Sequence, residues 1–591
     1  MGLLFLFLIV NRVLNAPRPL WHQGFRVGVV SLSGVTSAIS TTFGQGLKIA
    51  LSQVNPVVGD LMGNEALILA DYARAAEAGC NVVVFTELTI TGYPPEDLLL
   101  KSAFVQHNRD VMHRIAAQTG ACAAVVGFVH AEEGALYNAA AVCVNGEVVG
   151  VYKKMLLPNY AVFDEERYFM PGPAMANGAP AGMFEINGVQ VGVSVCEDIW
   201  FANGPVAAQA ANGARVLLNL NGSPFHDGKH VAREDMLKER AAQTGSTIVY
   251  VNQVGAQDEL IFDGSSVVIT AAGDVACRLK SFESDFAIID VAADGSVVPS
   301  RIESFDVDLD RVYNALVIGT RDYVRKNGFS SVVIGLSGGI DSSIIAAIAV
   351  DALGAENVHG VAMPSRYSSQ GSLHDAEQLA RTLGIDYRVI SIEPAFTAYL
   401  QMLQPSFVNR EPDLTEENLQ SRCRGMTLMA LSNKFGWMVL TTGNKSEMAV
   451  GYFTIYGDSA GGYAPIKDVL KTHVFALCRR INDRTGKEII PETVINKPPS
   501  AELRPDQRDD QSLPAYEDLD PILRHYIDDD LTVPEIIARG FDAAVVARIA
   551  RLVDVNEYKR RQCAPGVRIS TKAFGKDRRM PITNGYRSDR L

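Results

Sequence analysis

The sequence predicts an α/β protein of two domains, a helix-covered sheet domain followed by a doubly wound parallel sheet. The chain has 591 residues, 47% of them hydrophobic, which is more than one core holds and implies at least two domains. Short apolar runs alternate with helix-period segments in the first half, as in a sheet covered by helices. In the second half the loop Ser337-Gly338-Gly339-Ile340-Asp341-Ser342 follows an apolar strand and opens a helix, the arrangement of an anion-binding turn at the edge of a parallel sheet.

Charge and cysteine usage narrow the function classes. The 54 basic and 67 acidic residues give a net charge of -13 with no Lys/Arg-rich block, which argues against nucleic acid as the main ligand. The eight cysteines are scattered with no CxxC pair, so neither a zinc knuckle nor a disulfide framework is expected, and a reduced cytoplasm fits. Residues 1–10 form an apolar run too short to span a membrane and without preceding basic residues. Residues 1–46 are expected to be a disordered extension or to follow a misassigned start, with a targeting segment and a structural arm as the alternatives; no membrane partner is expected.

In the first half the strand Leu47–Leu51 comes first. Asn64 is placed as the cap of a helix over Glu65–Ala78, closed by Gly79, which feeds the strand Asn81–Phe85. That strand ends at Glu87, and Thr91-Gly92-Tyr93-Pro94-Pro95 turns the chain. Two further runs end the same way: Val148–Tyr152 leads to Lys153-Lys154, and Val189–Val195 leads to Cys196. Three strand ends thus present a carboxylate, an ammonium and a thiol. A nearby lysine is expected to lower the thiol pKa, and the carboxylate can carry protons between thiol and leaving group. The set points to nucleophilic cleavage of an amide.

Glu87 in TELTITGYPPEDLL, Lys154 in YKKMLLPNYAVFDE and Cys196 in GVSVCEDIW resemble, in the same order, the three catalytic stretches of the nitrilase superfamily. The resemblance implies an α-β-β-α sandwich with Glu87 as general base, Cys196 as nucleophile and Lys154 holding the oxyanion. It makes Glu165 the second glutamate beside them. Met155 and Leu156 stand where many members carry a His. PNYAVFDE and NGSPFHDGK are similar to stretches of glutamine-using members, which implies that Tyr93, Tyr160, Ser223 and Lys229 grip glutamine.

Residues 291–310, acidic and punctuated by Gly and Pro, read as a linker between a domain at 47–290 and one at 311–591. A helix is expected from about Asp310 to Asn327, then the strand Ser331–Leu336, the SGGIDS turn, the helix Ser342–Leu353 and the strand Val358–Met363. Small residues at 337–339 let backbone N–H groups approach phosphate oxygens, helped by the helix N-terminus. The Gly-Lys-Ser/Thr ending of a Walker A loop is missing.

SGGxDS resembles the pyrophosphate loop of the ATP pyrophosphatase group, which adenylates a carbonyl oxygen. ENLQSRCR, TTGNKSE, GYFTIYGD and KPPSAELRPDQRDDQSLPAYEDLD resemble NAD synthetases, and with the nitrilase-like half in front the chain is similar to the glutamine-dependent family from residue 47 to 591. That resemblance implies a ligase making NAD+ from deamido-NAD+, ATP and glutamine. Gly335, Leu336, Ser337, Gly338, Gly339, Ile340, Asp341, Ser342 and Thr442 would bind ATP, and Asp341 and Glu447 would hold Mg2+. Asn418, Glu447, Tyr452, Phe453, Thr454, Lys467 and Lys559 would bind deamido-NAD+. It implies a homo-oligomer as well. The polar stretches 404–420 and 500–520 are expected to be mobile until substrate arrives.

Overall fold

The computed structural model describes residues 46–176 and 178–586; the apolar run and nearly all of the expected extension lie outside them. Among the described residues, no helix is long and apolar enough to cross a membrane.

The first domain holds two six-stranded sheets. One runs in the order Asp285–Val291, Leu47–Gln53, Val82–Val84, Ala123–Glu132, Ala135–Val144, Glu147–Lys153. The other runs Val275–Arg278, Val267–Ile269, Thr247–Asn252, Val216–Asn221, Val189–Val195, Met183–Ile186. In each, the central strands pair in parallel and are buried on both faces, so they read as continuous apolar runs without alternation. Helices Leu61–Glu77 and Ser102–Ala117 cover the first sheet through Ile68, Tyr72, Val111 and Ile115. Helices Pro205–Ala211 and Lys229–Thr244 cover the second through Val206 and Leu237. The inner faces pack strand Leu47–Gln53 against Thr247–Asn252, which makes the α-β-β-α sandwich.

The second domain is a four-stranded parallel sheet in the order Asp386–Val389, Val358–Ala362, Val332–Gly335, Met438–Leu440. Helices Asp308–Lys326, Ile340–Leu353 and Lys471–Thr485 share one core on one face. Helices Glu393–Leu403 and Leu414–Phe435 cover the other. The first strand in sequence, Val332–Gly335, lies between the second and the fourth, so strand order reverses there, and a crevice opens beyond its C-terminal end. The SGGIDS loop sits at that point.

Two expectations need correction. The first helix begins at Leu61, capped by Asp60, whose side chain accepts from Gly63 N. Asn64 is instead a buried tie inside the helix, donating to Val57 O and Ile90 O and accepting from Val57 N. The stretch 500–520 is not free: Glu502 accepts from Ser369 and Ser372 hydroxyls at 2.8 Å, Gln420 donates to Leu503 O, and helix Tyr516–Leu523 takes in its end. From 404 to 420 the chain is likewise structured, with Asp413 capping helix Leu414–Phe435.

Residues 292–307 between the domains run along the first, with Ser300 N donating to Ala276 O and Arg278 N to Arg301 O. The domains are then locked by buried charge. Asp263 takes Arg233 from its own domain at 2.8 Å and Arg311 from helix Asp308–Lys326 at 3.1 Å. Asp322 accepts from Asn55 and from Ala256 N. Arg568 donates to Phe225 O, and Asp227 N to Ile569 O.

Candidate active sites

Glu87, Lys154 and Glu165 meet in the first domain although their sequence positions are far apart. The strand Val82–Val84 delivers Glu87 just past its end, and Glu147–Lys153 delivers Lys154. Lys154 Nζ donates to Glu87 Oε1 at 2.7 Å and to Glu165 Oε1 at 2.9 Å, and Lys154 and Glu87 are fully buried. Glu87 Oε2 accepts from Gly222 N at 2.8 Å, and Tyr93 OH donates to Glu165 at 2.9 Å. Gly127 lets the backbone around Glu87 pass: a Cβ there would stand 2.3 Å from Thr86 O and 2.4 Å from Leu88 N.

Cys196 opens the turn after strand Val189–Val195 with a φ of 43°, a left-handed conformation that non-glycine residues rarely adopt and that recurs at functional sites. The turn is pinned by Asp198, which accepts from Val195 N, from Met155 N and Leu156 N beyond the lysine, and from Tyr152 OH. One carboxylate therefore registers the thiol turn against the lysine loop.

The expected acidification of the thiol is not what the site does at rest. Burial first and the Glu87 charge next push the Cys196 thiol well up, and Lys154, pulling it down, does not offset them. Lys154 is itself paired with two carboxylates. Burial opposes the Lys154 charge, but Glu165 and Glu87 outweigh it and hold the ammonium firmly protonated. Burial, reinforced by Glu87 against the pull of Lys154, raises Glu165 to about 7.

Of the residues matched to glutamine binding, Tyr93 lies in this cluster and Ser223 is buried, its N–H on Asn252 Oδ1. Tyr160 is exposed and donates to Glu197, the neighbour of Cys196. Lys229 starts helix Lys229–Thr244. Burial, with Arg233 adding, pushes its pKa down to about 8, and a Cys196 thiolate would pull it back up.

In the second domain a cavity of about 430 Å³ lies at the strand crossover. Gly335, Leu336, Ser337, Gly339, Ile340, Asp341 and Ser342 line one side, with Thr442 and Glu447 beside them. Gly338 does not reach the cavity but makes the turn possible: its φ is 75° and a Cβ would strike Ser372 O at 2.1 Å. Asn418, Tyr452, Phe453, Thr454 and Lys559 line the other side. Thr454 donates to Asn418 at 2.7 Å, and Lys559 donates to Gly451 O and Phe453 O. Lys467 stands outside the cavity, donating to Ala564 O and lying 3.9 Å from Glu259 at the domain boundary.

Asp341 and Glu447 converge on a single cation, the ammonium of Lys471. Asn444 donates to Asp341 at 3.0 Å. Burial and Asp341 raise Glu447 to about 8 against the pull of Lys471. Among the described residues no three His, Cys, Asp or Glu side chains form a metal cluster. Two carboxylates beside the SGGIDS loop do fit Mg2+, which binds through one or two carboxylates and takes its other ligands from phosphates and water.

Sequence reasoning missed Asn138, Asp198 and Lys471. Asn138 donates to Glu87 at 2.7 Å and to Glu165 at 3.4 Å; its signal was a lone amide inside the apolar strand Ala135–Val144. Asp198, two residues past the cysteine, had only its proximity. Nothing in the sequence around Lys471 marks it.

Comparison with known proteins defines the class first. The carbon-nitrogen hydrolase family model matches residues 48–297 and the NAD synthase model residues 312–563. A glutamine-dependent NAD(+) synthetase of Thermotoga maritima is 47% identical over 577 residues, covering 92% of this chain and 99% of that one. One from Xanthomonas campestris is 48% identical over 545 residues, covering 91% and 98%. The solved structure of the Acinetobacter baumannii glutamine-dependent NAD+ synthetase in complex with ADP is 44% identical, with a TM-score of 0.74 over 91% of this chain and 99% of that one. The chain belongs to the glutamine-dependent NAD+ synthetase family.

Proposed function

We propose that this protein converts deamido-NAD+ to NAD+ with ATP, using ammonia that it releases from glutamine. The observation that carries the reading is the pairing, in one body, of a buried Glu-Lys-Glu cluster beside a strained cysteine with an SGGxDS-lined cavity.

In the first site Glu87 takes the Cys196 proton as sulfur attacks the side-chain amide carbon of glutamine. Because the thiol rests protonated, transfer and attack are coupled, which suits a carboxylate held close to the sulfur. An ammonium has three N–H donors; Lys154 gives two to Glu87 and Glu165, and the third is available to the oxyanion. Glu87 returns the proton as ammonia leaves, then deprotonates the water that hydrolyses the thioester to glutamate. Tyr93, Tyr160, Ser223 and Lys229 hold the substrate, with the Lys229 ammonium on its carboxylate.

In the second site the nicotinate carboxylate attacks the α-phosphorus of ATP and pyrophosphate leaves. Ammonia then attacks the adenylated carbonyl and AMP leaves, giving the amide. Backbone N–H groups at 337–339 and the N-terminus of helix Ile340–Leu353 cradle phosphate oxygens. Asn418, Tyr452, Phe453, Thr454 and Lys559 receive the dinucleotide. Asp341 and Glu447 would hold Mg2+, which neutralises phosphate charge when bound. Ammonia must stay unprotonated between sites, which favours an enclosed path across the domain boundary.

The eight unbridged cysteines suit a reducing cytoplasm. Exposed Met402, Val408 and Met426 on and between the outer helices of the second domain suit assembly with further copies. The test is product formation from deamido-NAD+, ATP and Mg2+ with glutamine or ammonium chloride. NAD+ with equimolar AMP is expected from both nitrogen sources; a folded sample giving neither product would refute the reading.

A further inference from the structure

Lys471 is the first residue of helix Lys471–Thr485, and its side chain is 2% exposed. Its ammonium donates to Asp341 Oδ2 and, at 3.1 Å, to Glu447 Oε1. Asp509 adds negative charge, and the Tyr516 ring lies 5.4 Å from Nζ. Two carboxylates facing one another in a largely enclosed site repel unless a cation lies between them. In this fold the cation is supplied by the chain itself.

We infer that Lys471 is a tethered place-holder for the divalent cation. In the nucleotide-free enzyme its ammonium fills the position between Asp341 and Glu447, and a metal ion enters only as Lys471 leaves. This rests on the reading of Asp341 and Glu447 as the metal carboxylates. Because the competing cation is covalently attached, its local concentration is high whatever the solution contains. A bare divalent ion must displace it and gains only two carboxylates in return. A divalent ion arriving with a nucleotide brings phosphate ligands as well. The arrangement therefore keeps the site closed to metal alone and couples metal entry to nucleotide entry.

The test is titration of the nucleotide-free, full-length protein with Mn2+, an oxygen-binding divalent ion whose free form is read by electron paramagnetic resonance. Lys471→Met should bind Mn2+ at least roughly tenfold more tightly than the wild type, the minimum expected when a buried competing ion pair is removed. Lys471→Arg, which keeps the charge, should bind as weakly as the wild type. Equal affinity in wild type and Lys471→Met overturns the place-holder. Adding Glu447→Gln to Lys471→Met should abolish the gain; a gain that survives it overturns the carboxylate assignment itself. Should Lys471→Met fail to fold, the wild type still decides the matter. Its Tm should not change on adding Mg2+ to about 10 mM without nucleotide, whereas a rise would show binding to an open site and overturn the inference.

Discussion

Lys229 shows how one side chain's surroundings set a measurable pH dependence. Its ammonium is pushed down to about 8 by burial and by Arg233, so it is charged below that pH and neutral above. If it pairs with the glutamine carboxylate, kcat/KM for glutamine falls as pH rises through about 8, since that ratio reports the free enzyme. Lys229→Met should raise KM by roughly 30-fold or more, the cost of leaving one partner of a buried charge pair alone, and should remove that limb from the profile. An unchanged profile would place Lys229 outside the substrate's reach. Glu87, Lys154 and Cys196 stood out as candidates because each lies at the end of an apolar run, where a sheet presents side chains to a site. Asn138, Asp198 and Lys471 were not, because their meaning lies in partners 51, 42 and 130 residues away. The thiol's resting state was misjudged for a related reason: its burial, the largest push on it, and the Glu87 charge beside it appear only in the fold.

Among the elements, strand Ala123–Glu132 controls where Glu87 stands. Gly127 has no side chain at the point where Thr86–Leu88 crosses it, and an added Cβ would meet backbone atoms that cannot swing away. Gly127→Ala should therefore cost about 1–3 kcal/mol of stability by overpacking and displace Glu87. The expected result is lost glutamine-driven synthesis with ammonium-driven synthesis retained; equal retention of both would show that the crossing tolerates a methyl group. Strands and their order of function followed from apolar runs ending in polar residues. Helix ends were harder to read. Asp60 and Asn64 are both good capping residues, and the choice was made by a tertiary contact, the Asn64 amide tying Val57 to Ile90. The polar composition of 500–520 suggested mobility, yet Glu502 finds Ser369 and Ser372 at the start of helix Gln370–Leu383.

For the whole molecule, the two domains are joined through Asp263, a buried carboxylate shared by Arg233 and Arg311. Removing it leaves two buried guanidinium groups without their partner, so Asp263→Ala should destabilise the protein by about 3–5 kcal/mol, read as a lower unfolding midpoint in urea. A loss below about 1 kcal/mol would mean that the pair is solvated in solution. The two-domain plan was legible from the motifs and the Gly/Pro-punctuated stretch between them. The lock was not, since an aspartate at 263 and an arginine at 311 carry no mark of each other. The division of labour between the domains is the central claim, and Cys196→Ala tests it most directly. With deamido-NAD+, ATP and Mg2+ supplied, the variant should make no NAD+ from glutamine and should make it from ammonium chloride at the wild-type rate. NAD+ formed from glutamine by the variant, or loss of both activities in a folded sample, would contradict the account.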